Sequence, residues 1–123
     1  MNPQTPQEIT DAYIDAIETS NYEQARFYLD DYNFRYRSPV INSNDADEFI
    51  SNISHVGSIL KRIDRRRTFF DGNEVCQVLR FVTEFSTVRT TDVMQWTTIR
   101  NGKIVNMEAA FDGRVYREMF LSE

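Results

Sequence analysis

Apolar positions near the start of the chain recur at helical spacing. Ile9, Ala12, Tyr13, Ala16 and Ile17 stand at i, i+3, i+4, i+7 and i+8, a continuous stripe that predicts an amphipathic helix. Thr5 or Thr10 suits its N-cap, Pro6 an early helical position, and Glu8 the first turn, where a negative charge meets the helix dipole. Glu18–Asn21 breaks the stripe, and Tyr22, Ala25 and Leu29 begin a short second helix that Asn21 is placed to cap. Asp30-Asp31 ends it. Tyr32, Phe34 and Tyr36 then alternate with Asn33, Arg35 and Arg37, which predicts a strand with one aromatic and one basic face. Pro39 limits how far that strand pairs. Asn42–Asp45 is turn material and offers a cap for a third helix from Ala46 to Leu60, its inner stripe Phe49, Ile53, Val56 and Leu60.

The second half reads as a meander. Strands over Lys61–Phe70 and Glu74–Phe85 are separated by a tight turn at Asp71-Gly72-Asn73, and Ser86–Thr90 leads into a third, Thr91–Ile99. Asn101-Gly102 separates this from a fourth, Ile104–Phe111, and a helical turn using Val115, Met119 and Phe120 is expected within Asp112–Leu121. Asn-Gly between two β-prone runs predicts a hairpin, because both central residues of a type I′ turn need positive φ. The order α-α-β-α-β-β-β-β segregates helices from an antiparallel sheet, the mark of an α+β domain with its helices on one sheet face. No repeat or linker interrupts it, and residues 1–123 are expected to form a single domain.

A two-residue turn also sets register. With Arg100 facing Lys103 and strict pairing outward, Trp96 opposes Met107 and Met94 opposes Ala109. One face then carries Met94, Trp96, Thr98, Val105, Met107, Ala109 and Phe111. This apolar face is expected under the helices, with Trp96, Met107 and Phe111 lining an interior cavity. The opposite face is mixed, with Val93, Ile99, Ile104 and Ala110 among its polar residues, and is expected to form a homodimer surface.

Composition narrows the chemistry. The chain has 123 residues, 41% hydrophobic and 13% aromatic, enough for one buried core. A net charge of −5 argues against nucleic acid or an anionic membrane as partner. Arg65-Arg66-Arg67 is the one basic run, expected to be held by acidic neighbours, with two arginines on one face and one on the other. Arg80 and Glu84 share a strand face and are placed to pair with each other. Cys76 is the only cysteine and His55 the only histidine, so an intramolecular disulfide, a cysteine-rich zinc site and a histidine-rich metal site are all excluded. His55 falls off the third helix's apolar stripe and is expected in solvent. With no glycine-rich phosphate loop, no cofactor is expected. No segment approaches the roughly 18 consecutive apolar residues of a membrane helix. The first residues lack the basic and apolar regions of a signal peptide, and a cytoplasmic protein is the expectation.

Short motifs along the whole chain resemble one superfamily. Ala12-Tyr13-Ile14, Asn21-Tyr22-Glu23-Gln24-Ala25 and Tyr28-Leu29-Asp30-Asp31 look like the opening of nuclear transport factor 2-like domains, and Asp47-Glu48-Phe49-Ile50 like their third helix. Asn101-Gly102-Lys103-Ile104 with Ala110-Phe111-Asp112 resembles the closing strand of the SnoaL-like branch, related to polyketide cyclases and ketosteroid isomerases. The resemblance implies a strongly curved sheet wrapped around the helices, a cone of the cystatin-like α+β barrel type with a pocket at its open end, and homodimers through the outer sheet face.

Residue by residue, Tyr13 resembles the helix-borne tyrosine that donates to the steroid oxygen in the isomerases. Their catalytic Asp-Pro is Ser38-Pro39 here, and Gln95 or Trp96 stands where their second acid lies. A serine does not shuttle protons near neutral pH, so steroid isomerisation is not expected. Asp112 resembles the acid/base aspartate of SnoaL-like cyclases. Strict alternation turns it away from Phe111 and the pocket, and Asp112-Gly113 is itself a good turn; a bulge or an early strand end would bring it to the mouth. Tyr36 and Ser38 are placed to present hydroxyls to a ligand.

Three functions follow. The first is a binding domain for a small, mostly apolar molecule held by Tyr13, Tyr36, Trp96, Met107 and Phe111. The second is an acid/base enzyme (cyclase, isomerase or dehydratase) using Asp112 with Tyr13 as donor. The third is a non-catalytic association module.

Overall fold

The computed structural model describes residues 5–114. The first helix, α1 (Pro6–Glu18), starts at a capping box in which Thr5 Oγ1 accepts from Glu8 N at 3.1 Å and Glu8 Oε1 accepts from Thr5 N at 3.0 Å. Asn21 caps α2 (Tyr22–Phe27), and Asp45 caps α3 (Ala46–Gly57) by accepting from Asp47 N and Glu48 N at 2.8 and 3.1 Å. The third helix stops short of the expected Leu60. At Gly57 it passes so close to α2 that an added Cβ would sit 1.4 Å from the Tyr22 hydroxyl.

The strands are β1 (Arg35–Arg37), β2 (Asn42–Ser43), β3 (Leu60–Asp71), β4 (Glu74–Phe85), β5 (Thr87–Arg100) and β6 (Lys103–Ala110), in the sheet order β2-β1-β6-β5-β4-β3. The fold is the α+β cone expected, a curved sheet that stays open, with its core against α1 and α3. Two features of the early strands differ from the sequence reading. The Asp30 carboxylate accepts from Tyr32 N and Asn33 N at 3.0 and 2.8 Å, so the start of the aromatic alternation is a turn with Tyr32 91% exposed. Those two backbone donors also hold the Asp30 pKa below its ordinary value. In addition, β1 pairs β6 in parallel, Tyr36 beside Met107, so the sheet is mixed and not wholly antiparallel. A period of two predicts a strand but carries no information about a partner's direction.

The Asn-Gly turn forms as expected, with φ of 54° at Asn101 and 76° at Gly102 and with Arg100 facing Lys103. The pairing beyond it does not follow. After Ile99 opposite Ile104 the register shifts, and Thr98 opposes Asn106, which leaves Val105 as the extra residue of a β-bulge. Ile104 and Val105 are both buried despite being adjacent. Every later pair moves by one, so Thr97 faces Met107 and Trp96 faces Glu108. The β5 faces assigned by strict alternation are therefore exchanged. Val93, Gln95, Thr97 and Ile99 point inward with Ile104, Met107 and Ala109, while Met94 (54% exposed) and Trp96 (46% exposed) lie on the outer face. Trp96 Nε1 donates to Glu74 Oε1 at 2.8 Å there.

Carboxylates on one side of α1 fasten it to the sheet. Asp11 and Asp15 pair with Arg65 of β3, Asp11 Oδ1 accepts from Gln77 Nε2 at 3.0 Å, and Glu18 Oε2 accepts from Ile63 N at 2.8 Å. A register shift between Arg65 and Arg67 sends Arg66 to Asp92 at 3.8 Å. Arg80 and Glu84 do not pair with each other: Arg80 bonds Asp92 at 2.9 Å and Glu84 bonds Lys61 at 2.8 Å, each across adjacent strands. The Arg80 guanidinium keeps the Asp92 pKa below its ordinary value. The helical turn expected from Val115 onward lies outside the described residues. Among the described residues, no helix is long and apolar enough to cross a membrane.

Candidate ligand pocket

The cone has a partly open pocket at its mouth, and the space in it together with the adjoining open solvent is about 630 Å3. Its walls follow from the periodicities of the elements around it. Tyr13, Ile14 and Ile17 face it from α1, and Phe49, Ile53 and Val56 do so from α3, each set at helical spacing. The sheet contributes Phe81, Val93, Gln95, Ala109 and Phe111. Tyr36 enters beside Phe49, their ring centroids 4.5 Å apart. The rim is the Ser38–Ile41 loop, wound tight because Ser38 Oγ accepts from Val40 N and Ile41 N at 3.2 and 3.0 Å. Gly113 is buried against this loop, where a Cβ would lie 2.6 Å from Val40.

Tyr13, Tyr36, Ser38 and Phe111, singled out from the sequence, thus come together in one cavity. Three other assignments are placed elsewhere. Trp96 sits outside the cone because of the Val105 bulge. Met107 is fully buried but packs in the core and not on the cavity wall. Asp112 follows Phe111 on the opposite side, with its side chain 58% exposed and bound by Arg114 through Nε at 3.0 Å and Nη2 at 2.5 Å. His55 is exposed, as expected.

Gln95, Phe49, Phe81 and Val93 also line the cavity, although sequence reasoning does not mark them as site residues. For β5 a signal did exist: Val93 and Ile99 are apolar positions that strict pairing left on an uncovered face.

Electrostatically the cavity is neutral. Among the described residues that line it there is no Asp, Glu, His, Lys, Arg or Cys. Its polar atoms belong to Tyr13, Tyr36, Ser38 and Gln95. Burial, and next the proximity of Tyr36, push the Tyr13 phenol well above its ordinary pKa. Burial, partly offset by a hydrogen bond with Ser38, pushes Tyr36 up to about 12. Both stay protonated near neutral pH and can donate. Gln95 Nε2 is sealed from solvent and has no hydrogen-bond partner, and the same holds for Gln77 Oε1 and Thr97 Oγ1 on the same sheet face. No group of three potential metal-ligating side chains is found among the described residues.

Solved structures with this architecture are numerous. A nuclear transport factor 2-like protein of unknown function from Cytophaga hutchinsonii superposes with a TM-score of 0.80 at 19% identity, covering 94% of this chain and 98% of that one. This chain has the nuclear transport factor 2-like fold. A SnoaL-like protein from Shewanella denitrificans shares the nuclear transport factor 2-like cone at a TM-score of 0.74 and 9% identity, with 96% and 98% of the two chains covered. An LEH-like epoxide hydrolase from M. tuberculosis matches at 0.77 and 15%, with 94% and 86% covered. No protein-family model matches the chain, and no curated protein sequence matches it significantly. At these identities the likeness is one of fold, and chemistry has to be argued from the cavity.

Proposed function

We propose that the cone is a binding pocket for a small, mostly apolar, uncharged molecule and that the domain acts as a binding module. The observation that carries this reading is the cavity's composition: aromatic and aliphatic walls, a few neutral polar atoms and, among the described residues, no side chain able to exchange protons near pH 7. Pockets of this kind orient ligands with few polar groups, whereas general acid/base catalysis needs a group whose pKa lies near the working pH. Fold neighbours described as an epoxide hydrolase and as SnoaL-like support a cone that receives a small molecule. They do not supply the missing carboxylate. Asp112, the acid/base candidate, is turned outward and engaged by Arg114.

The test is a ligand-observed NMR titration with an uncharged hydrocarbon probe, para-ethyltoluene. Wild type is expected to bind it. Ala109→Phe, which fills the cavity from β6, is expected to abolish binding, and Asp112→Asn to leave it unchanged. Absence of binding to wild type, or equal binding to Ala109→Phe, would overturn the reading.

A second proposal concerns the outer sheet face. Phe69, Cys76 and Trp96 stand in one cross-strand row there that ends on Glu108, and Val78, Met94 and Ala110 stand in the next, which starts at Arg67. Phe69 is 59% exposed, and Trp96 and Met94 are exposed on the same face. A second copy of the chain fits this surface, because a two-fold axis brings the apolar stretches of identical rows together. Sedimentation equilibrium is expected to give a dimer for wild type and a monomer for Met94→Glu; a monomeric wild type refutes it.

A further inference from the structure

Gln77 and Gln95 are direct cross-strand partners on the inner face of β4 and β5. Gln77 is fully buried and Gln95 is 5% exposed. Each carries one orphan atom, and the two are complementary: an acceptor, Gln77 Oε1, and a donor, Gln95 Nε2. The other end of Gln77 is committed, because its Nε2 donates to Asp11 Oδ1 at 3.0 Å, with Thr68 Oγ1 at 3.4 Å. A carboxylate accepts and does not donate. Asp11 therefore dictates which way the Gln77 amide lies, with NH2 toward the helix and the carbonyl away from it.

We propose, on the reading of the cone as a binding pocket, that Asp11, Gln77 and Gln95 form a polarity relay that makes the polar group of the cavity a hydrogen-bond acceptor, so that the ligand is an apolar molecule with a hydroxyl donor. Gln77 Oε1 attracts Gln95 Nε2, either directly through a small side-chain rotation or through one water that donates to the first and accepts from the second. Both routes give the same outcome. Gln95 turns its NH2 toward Gln77 and presents Oε1 to the cavity that it lines. The ligand hydroxyl donates to Gln95 Oε1, and its oxygen accepts from the Tyr13 or Tyr36 phenol, so an alcohol or phenol satisfies both kinds of group. A ketone or ether leaves the Gln95 carbonyl unpaired. A carboxylate is repelled by that carbonyl and finds no cation among the described residues of the cavity wall.

The experiment compares two isomeric probes, para-ethylphenol and para-methylanisole, with para-ethyltoluene as the hydrocarbon reference, by NMR titration. Wild type is expected to favour the phenol over the anisole by about tenfold, the effect of one neutral hydrogen bond together with the desolvation it relieves. Gln95→Leu is expected to erase that preference while still binding the hydrocarbon; Gln95→Met replaces it if the leucine variant does not fold. Gln77 is not on the cavity wall. Gln77→Leu is nevertheless expected to reduce the phenol-to-anisole ratio, a selectivity that mere loss of packing would not move. Equal affinities in wild type overturn the proposal while leaving the pocket reading intact. So does a preference that survives at Gln95→Leu, and an unchanged ratio at Gln77→Leu overturns the relay. If not even para-ethyltoluene binds wild type, the pocket reading itself fails and this proposal with it.

Discussion

Two fully buried threonines provide a matched test of how this core treats polar atoms. Thr97 and Thr10 are both 0% exposed. Thr10 Oγ1 donates to the Pro6 carbonyl at 2.7 Å, whereas Thr97 Oγ1, on the inner face of β5, has no partner. Threonine to valine exchanges a hydroxyl for a methyl at nearly constant shape and keeps the β-branch. At position 97 the substitution removes an unpaired hydroxyl, whose burial costs about 1–3 kcal/mol, and adds a buried methyl group. Thr97→Val is therefore expected to stabilise the fold by about 1–3 kcal/mol. At position 10 it removes a made hydrogen bond, which contributes about 0.5–1.5 kcal/mol, and helix propensity barely distinguishes the two residues. Thr10→Val is expected to destabilise by about 1 kcal/mol. Urea denaturation followed by far-UV circular dichroism should show midpoints displaced in opposite directions at unchanged m. In thermal melts each kcal/mol corresponds to about 4 °C for a domain of this length. If Thr97→Val is destabilising, or both variants move the same way, the assignment of an unpaired hydroxyl at Thr97 is wrong.

Gly57→Ala should lower stability by about 1–3 kcal/mol, because its Cβ overlaps the Tyr22 hydroxyl; Tyr22→Leu in the same chain should recover part of that loss, a coupling that a double-mutant cycle measures. Alkaline pH should unfold the protein by a route that involves Tyr36. Its native pKa is raised to about 12, so its contribution to stability is complete below about pH 10, the ordinary tyrosine value, and falls away between about pH 10 and 12 as the unfolded chain ionises first. Tyr36→Phe should shallow the decline in stability over that range; an identical slope would count against a buried, neutral Tyr36. Arg65→Met should cost about 1 kcal/mol, less at high salt, since Asp11 and Asp15 of α1 lose a partly exposed partner. A salt-independent loss would indicate packing instead.

Much of the fold was legible because local signals agreed. The α1 stripe, the caps at Asn21 and Asp45, and the Asn101-Gly102 turn each formed where their residues predicted. The cavity was legible where periodicity was undisturbed, which is why Tyr13, Tyr36 and Phe111 line it and Asp112, one step further, does not. The error lay in β5, and it had a single origin in the Val105 bulge. Its trace is present in the chain: Ile104 is inward by pairing with Ile99, yet Met107, Ala109 and Phe111 also alternate inward. That change of parity needs one extra residue, and the apolar pair Ile104-Val105 is where it sits. The Gln77–Gln95 pairing depended on the same register and could not be read without it. The parallel partner of β1 was a different matter, since nothing local to Arg35–Arg37 encodes a contact with Asn106–Glu108.

That parallel contact has a consequence for the order of events during synthesis. The Tyr36 segment leaves the ribosome well before the strand it must lie beside, which comes together with Ile104, whose backbone bonds Tyr28 and Asp30 at 2.8 and 2.9 Å. Until that hairpin exists, the Tyr36 ring has Phe49 to pack against, but one edge of its backbone has no ladder to join, so closing the cone on this side waits for the last strand pair to form.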